Sequence, residues 1–96
     1  MSPLNKKKLN SLRYKLDKVD DELLKLIKKR SNLVNEVLKV KVYKKEIIDK
    51  KRINSILKEI KNKSIKRKID PKITNRIWKN MIWSFIDYEK RNFKKK

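Results

Sequence analysis

One long run of apolar residues, spaced for a single helix, constrains this chain more than anything else in it. Leu9, Leu12, Leu16, Val19, Leu23, Leu26, Leu33, Val37 and Val40 recur at alternating steps of three and four, and Arg30 holds the one seam position that is not aliphatic. No Pro or Gly interrupts the run, so the spacing predicts one helix over residues 6–42, with residues 1–5 as a frayed lead-in. A helix of that length cannot cover both its flanks within a single chain, which argues for an intertwined pair of chains.

Arg30 sharpens the argument. A guanidinium taken out of water costs several kcal/mol unless it is paired or hydrogen-bonded. Either it snorkels to the rim of the seam and pairs with Asp20 or Glu36, or something anionic comes to it. Lys41 lies eleven residues further on, which is three turns and the same face, about 16 Å along the axis. Arg13 precedes Arg30 by seventeen residues, about 25 Å, too far to share a small anion with Arg30 and Lys41 of its own helix. A second copy, antiparallel and crossing near Leu23 and Leu24, would bring its own Arg13 opposite that segment, and a two-fold dimer is the commonest way to supply it. Asp17, Asp20, Asp21 and Glu22 make the first half of the helix acidic while its second half is basic, which favours the same antiparallel pairing.

Composition narrows the chemistry. The 96 residues fit one domain spanning 1–96. The absence of both Cys and His removes disulfides, the usual zinc ligands and most nucleophile and base pairs. No metal or cofactor is implied, and catalysis would have to come from Arg, Lys, carboxylates, hydroxyls and shape. No apolar leader precedes the lysines at 6–8 and no membrane-length apolar run occurs, so the expected location is the cytoplasm, away from membranes. Lys and Arg number 31 against 11 Asp and Glu, a formal charge of +20. Such a charge suggests nucleic acid. However, the lysines are spread over every helix without interleaved aromatics, and a sequence rich in Lys, Ile and Asn with no Gly, Ala, Gln or His also fits biased genomic base composition. A positive field would still steer a small dianion toward a site.

The rest of the chain reads as two shorter helices. Residues 43–48 form a short, charged connecting loop, read as mobile. Asp49 is placed to cap the second helix, whose stripe is Ile53, Ile56, Leu57 and Ile60 and which fades among the lysines of residues 64–68. Asp70 followed by Pro71 is a clear start for the third. Ile73, Ile77, Trp78, Met81, Ile82 and Phe85 make its expected buried face, Glu89 continues that line, and Lys94, Lys95 and Lys96 end as a solvated tail.

Several of these residues carry a family resemblance. Leu12 with Arg13, Asp17, Val19 with Asp20, Leu23 with Leu24, Lys29 with Arg30, Leu33 with Val34, Val37 and Lys41 resemble the first helix of the all-helical chorismate mutases. Ile48, Asp49 and Arg52 are similar to the D..R element that opens the family's second helix. Ile69, Asp70, Pro71, Ile77, Trp78, Met81 and Ile82 are similar to its third. The resemblance implies an all-α fold of three helices with a very long first helix, in an intertwined homodimer with antiparallel first helices and shared sites. It also implies rearrangement of chorismate to prephenate, in which an ether C–O bond breaks as a C–C bond forms, with no proton transfer, metal or covalent intermediate. Carried over, Arg30 and Arg13 of the second copy would hold the two carboxylates. Lys41 and Glu89 would flank the ether oxygen, Asp49 would contact the ring hydroxyl, and Arg52 would add positive field. An ionised carboxylate only accepts, so Glu89 would need a proton to donate there.

Two positions depart from the family pattern. Ile53 stands where a Glu is usual, and Phe85 stands where a small polar residue is usual. Apolar residues there resemble the related isochorismate-pyruvate lyases of salicylate synthesis, which remain an alternative activity. Shifting the third helix by one residue would instead make Ser84 and Tyr88 the pair. A non-enzymatic basic helical module that binds nucleic acid is the third reading, recognisable by affinity that falls steeply with salt.

Overall fold

The computed structural model describes residues 2–94, and Met1, Lys95 and Lys96 lie outside it. The last two belong to the expected solvated tail, of which Lys94 is exposed. The chain is all-helical: α1 is Pro3–Val40, α2 is Lys50–Lys66 and α3 is Pro71–Asn92, with a one-turn 3-10 helix, Lys44–Glu46, between α1 and α2. No helix among the described residues is long and apolar enough to cross a membrane.

The first helix starts earlier than its seam. Residues 3–5 are helical rather than frayed because Ser2 caps them: its hydroxyl accepts the Asn5 N–H at 3.2 Å, its carbonyl accepts the Lys6 N–H at 2.9 Å, and Pro3 fills the first helical position. The helix also ends earlier, at Val40 rather than Val42, for a reason given with the site below.

The fold divides into two compact units, Met1–Leu33 and Val34–Lys96. The first is helix alone, and α1 has no buried residue over its whole length. Apart from half-buried Leu9, the aliphatic seam residues are exposed, from 47% at Val37 to 76% at Val40. An apolar stripe on a helix is normally buried against another element. Within one chain this one is uncovered.

The second unit holds the core. Ile47, Ile82 and Ile86 are buried together, with Ile48, Ile53, Ile56, Leu57, Trp78 and Phe93 packed on them. Ile47 corrects the reading of residues 43–48 as a mobile charged loop, since one of its residues is a core side chain. The buried line of α3 keeps Ile82 and Glu89 of the expected one, with Trp78, Met81 and Phe85 half-buried, but differs from it at the start of the helix. Thr74, Ile82, Ile86 and Glu89 are buried, whereas Ile73 and Ile77 are exposed in the single chain. α2 packs on the side of α3 that carries Thr74, about 100° around the helix from Ile73, so Ile73 falls at the margin.

A buried hydroxyl pair ties α2 to α3. Ser64 Oγ donates to the Ile60 carbonyl at 2.7 Å and lies 2.7 Å from Thr74 Oγ1. Thr74 Oγ1 also lies 3.4 Å from the Pro71 carbonyl, so each hydroxyl has a backbone acceptor beside it and either can donate in the bond between them. The turn between the helices is a Schellman motif: Ile69 N–H reaches the Ser64 carbonyl at 2.9 Å and Lys68 N–H reaches the Ile65 carbonyl at 3.1 Å. That geometry puts Lys68 at φ 58°, the left-handed region, in a chain that has no glycine. A side chain there costs about 1–2 kcal/mol, and glycine's looser unfolded chain returns about half of that. Lys68→Gly is therefore expected to raise stability to urea unfolding by about 0.5–1 kcal/mol, and Lys68→Val to lower it.

Candidate functional site

Glu89 is the residue that defines the site. It sits on α3 one turn beyond Phe85, next to the Ile82 and Ile86 line, and is 5% exposed. An unpaired carboxylate at that depth would cost several kcal/mol, so a cation must come to it. Lys41 does so, donating to Oε2 at 3.1 Å and Oε1 at 3.3 Å from a side chain that is itself largely buried. The remaining ion pairs described, Lys25 with Glu22, Lys63 with Glu59 and Arg91 with Asp87, are exposed and lie within single helices. Pairs of that kind contribute little. The Lys41–Glu89 pair instead joins residues far apart in the chain.

Lys41 is the first residue past α1. Its N–H still donates to the Val37 carbonyl at 3.3 Å, so its backbone continues the last turn. The next two N–H groups, of Val42 and Tyr43, go to Glu46 Oε2 at 2.8 and 3.4 Å. That carboxylate replaces the helical acceptors at Leu38 and Lys39, and this is why the helix stops at Val40. Tyr43 is extended, the 3-10 turn follows, and Ile47 enters the core.

The other expected site residues lie as follows. Phe85 is half-buried. Asp49 caps α2, its Oδ1 accepting the Arg52 N–H at 3.0 Å, and both residues are exposed. Ile53 packs on the core cluster and offers no polar group. Arg13, exposed, and Arg30, half-buried, belong to the first compact unit. In the alternative register, Ser84 Oγ donates to the Asn80 carbonyl at 2.7 Å on an exposed face, and Tyr88 Oη donates to Asn35 Oδ1 at 2.7 Å. Their hydrogen bonds go to these partners, whereas Glu89 is the residue bonded to Lys41. Sequence reasoning missed the roles of Glu46, Ile47 and Asn35. Glu46 could have been found, because an acidic residue three after Tyr43 matches a capping-box spacing.

Taken alone, the geometry defines a small all-helical protein whose buried polar contact joins the end of a long first helix to the third. The family model for chorismate mutase type II matches residues 12–90, and the chain belongs to that family. No curated protein and no solved structure matches the chain.

Proposed function

We propose that this chain is a chorismate mutase, an isomerase that rearranges chorismate to prephenate for phenylalanine and tyrosine biosynthesis. The observation that carries the reading is the meeting of Lys41 with Glu89, in a chain of this family. The reaction asks little of acid–base chemistry. It needs the compact conformer of the substrate to be held and the negative charge growing on the ether oxygen to be stabilised. Lys41 supplies that positive charge, and Glu89 supplies a second hydrogen bond to the same oxygen. Asp49 takes the ring hydroxyl, Arg52 adds field at the mouth, and Phe85 gives an apolar wall.

We read the 96 residues as one domain completed by a second copy. The uncovered seam of α1 supports this, since two antiparallel first helices would cover each other's stripes. Arg30 of one copy and Arg13 of the other then hold the two carboxylates. Mixing Arg13→Ala with Arg30→Ala subunits is expected to restore activity, because the mixed dimer has one site with both arginines. With random exchange the recovery is about a quarter of wild type. A verified mixed dimer that stays inactive would reject shared sites.

Lys41 and Glu89 are in direct contact. An ether oxygen bonded to both groups would hold Nζ and Oε about 4.6 Å apart, from ordinary hydrogen-bond lengths and a tetrahedral angle, against the 3.1 Å seen. The pair must therefore open, and Glu89 must gain a proton to act as donor. Glu89→Gln, whose amide N–H donates to the same oxygen, is expected to retain activity, while Glu89→Ala is expected to lose most of it. A Gln variant as inactive as the Ala one, or an Ala variant with wild-type turnover, would remove Glu89 from the reaction.

The test of the activity itself is the ultraviolet loss of chorismate with the product identified. Prephenate is expected, and Lys41→Ala should lower turnover by about two to three orders of magnitude with less effect on affinity. One observation favours a second reading. Ile53 is committed to the core and Phe85 is aromatic, so both apolar departures face the isochorismate-pyruvate lyase alternative. Salicylate plus pyruvate from isochorismate, with no prephenate from chorismate, would establish that reading instead.

A further inference from the structure

We propose that Glu46 is a positioning residue for Lys41: its carboxylate fixes the two peptide N–H groups that follow Lys41, and thereby sets where the Lys41 ammonium meets Glu89. Its effect on turnover rests on the functional reading above, whereas its effect on the Lys41–Glu89 contact stands on geometry alone.

The backbone on both sides of Lys41 is held by different acceptors. Upstream, the Lys41 N–H is tied to Val37 of α1 at 3.3 Å. Downstream, the Val42 and Tyr43 N–H groups converge on Glu46 Oε2 at 2.8 and 3.4 Å. A carboxylate suits this place because it is acceptor-only, carries charge, and can take two N–H groups at once. The segment then closes on itself, with Glu46 N–H donating to the Tyr43 carbonyl at 3.0 Å and Ile47 N–H to the Lys44 carbonyl at 3.1 Å. Ile47, the very next residue, is 4% exposed and packs with Ile82 and Ile86 of α3. Ile86 is three residues before Glu89, on the same helix. One short segment therefore grips the chain leaving Lys41 and the helix that carries Glu89. Without the carboxylate, residues 42 and 43 lose the acceptor that ends α1 where it does, and the Lys41 stem no longer has a fixed origin.

If Glu46 only stabilised its own 3-10 turn, its removal would lower stability and leave the Lys41–Glu89 contact alone. Glu46→Ala and Glu46→Gln in the full chain separate the two cases. Gln keeps a side-chain oxygen for the same N–H groups and is expected to stay near wild type. Ala is expected to lower kcat about 10- to 100-fold with a much smaller change in KM, since a displacement of about 1 Å can cost that much. Wild-type kcat in Glu46→Ala, or a Gln variant as impaired as the Ala one, overturns the proposal. The second readout needs no substrate: a urea-unfolding cycle of Glu46→Ala with Glu89→Ala at fixed protein concentration. Coupled groups should give a double variant whose unfolding constant departs from the product of the single effects by about twofold or more. Strict multiplicativity overturns the proposal. If Glu89→Ala fails to fold, Lys41→Met, which keeps the side-chain stem, closes the same cycle. Should the wild type convert no chorismate, the functional reading fails and the cycle alone decides the role of Glu46.

Discussion

A carboxylate that is nearly out of water obliges the chain around it to deliver a cation, and much of the second compact unit follows from meeting that demand at Glu89. The cation, Lys41, is 48 positions away in sequence. Its reach is limited, so α1 must end nearby, the chain must turn at once, and α3 must run with its Glu89 side inward. The Ile47 plug, the α2–α3 hairpin and the Ser64–Thr74 hydroxyl pair all serve that geometry. Burying an ion pair rarely stabilises a protein compared with a well-packed apolar pair. Its retention in so small a core is easier to understand as chemistry than as stability.

The first unit poses the opposite problem. Here the aliphatic seam is mostly exposed and no residue of the helix is buried. A helix in a protein draws most of its stability from packing its apolar face, and α1 presents that face without a buried residue. The exposed aliphatic seam and the acidic-to-basic polarity along the helix both favour a second, antiparallel copy of the same helix. The same copy would bring its Arg13 opposite the Arg30 segment, so under the proposed reading one association would cover the hydrophobic seam and bring the two arginines to one site.

How much of this was legible in the sequence depended on the range of the interaction. The caps at Asp49 and Asp70 are satisfied within three residues, and both were readable. Ser2 followed by Pro3 uses the same local rule as Asp70 followed by Pro71, and was overlooked because the seam begins only at Leu9. Glu89 was visible as an acid continuing an apolar line. Family resemblance puts Lys41 and Glu89 on either side of an ether oxygen but does not give their direct contact, and periodicity says nothing about what an acid meets across 48 residues. Ile47 and Ile48 are indistinguishable by composition, and only the turn at Lys44–Glu46 decides that Ile47 is the one that enters the core. The stripe of α3 is legible from Trp78 to Glu89 but not at its start, where Ile73 and Thr74 are neighbours and the sequence favours the larger apolar side chain. Thr74 is the buried one, paired with the Ser64 hydroxyl.

On the proposed reading, the two apolar departures from the family pattern would leave the ring side of a substrate with few polar partners, and Asp49 already has an occupation as the cap of α2. The two roles are compatible. A carboxylate has two oxygens and roughly four lone-pair directions, and the cap uses Oδ1 for one N–H. The second oxygen can take a hydroxyl without releasing the helix. The α2 N-terminus also favours negative charge at that place through its dipole, and the cap fixes the position of Asp49 to within a hydrogen bond. A carboxylate acceptor there would select a hydroxyl donor over a second carboxylate. With Ile53 and Phe85 contributing only shape, orientation of the ring would then depend on this one acceptor at one end and the arginines at the other, which suits a reaction limited by holding a single conformer rather than by transferring a proton.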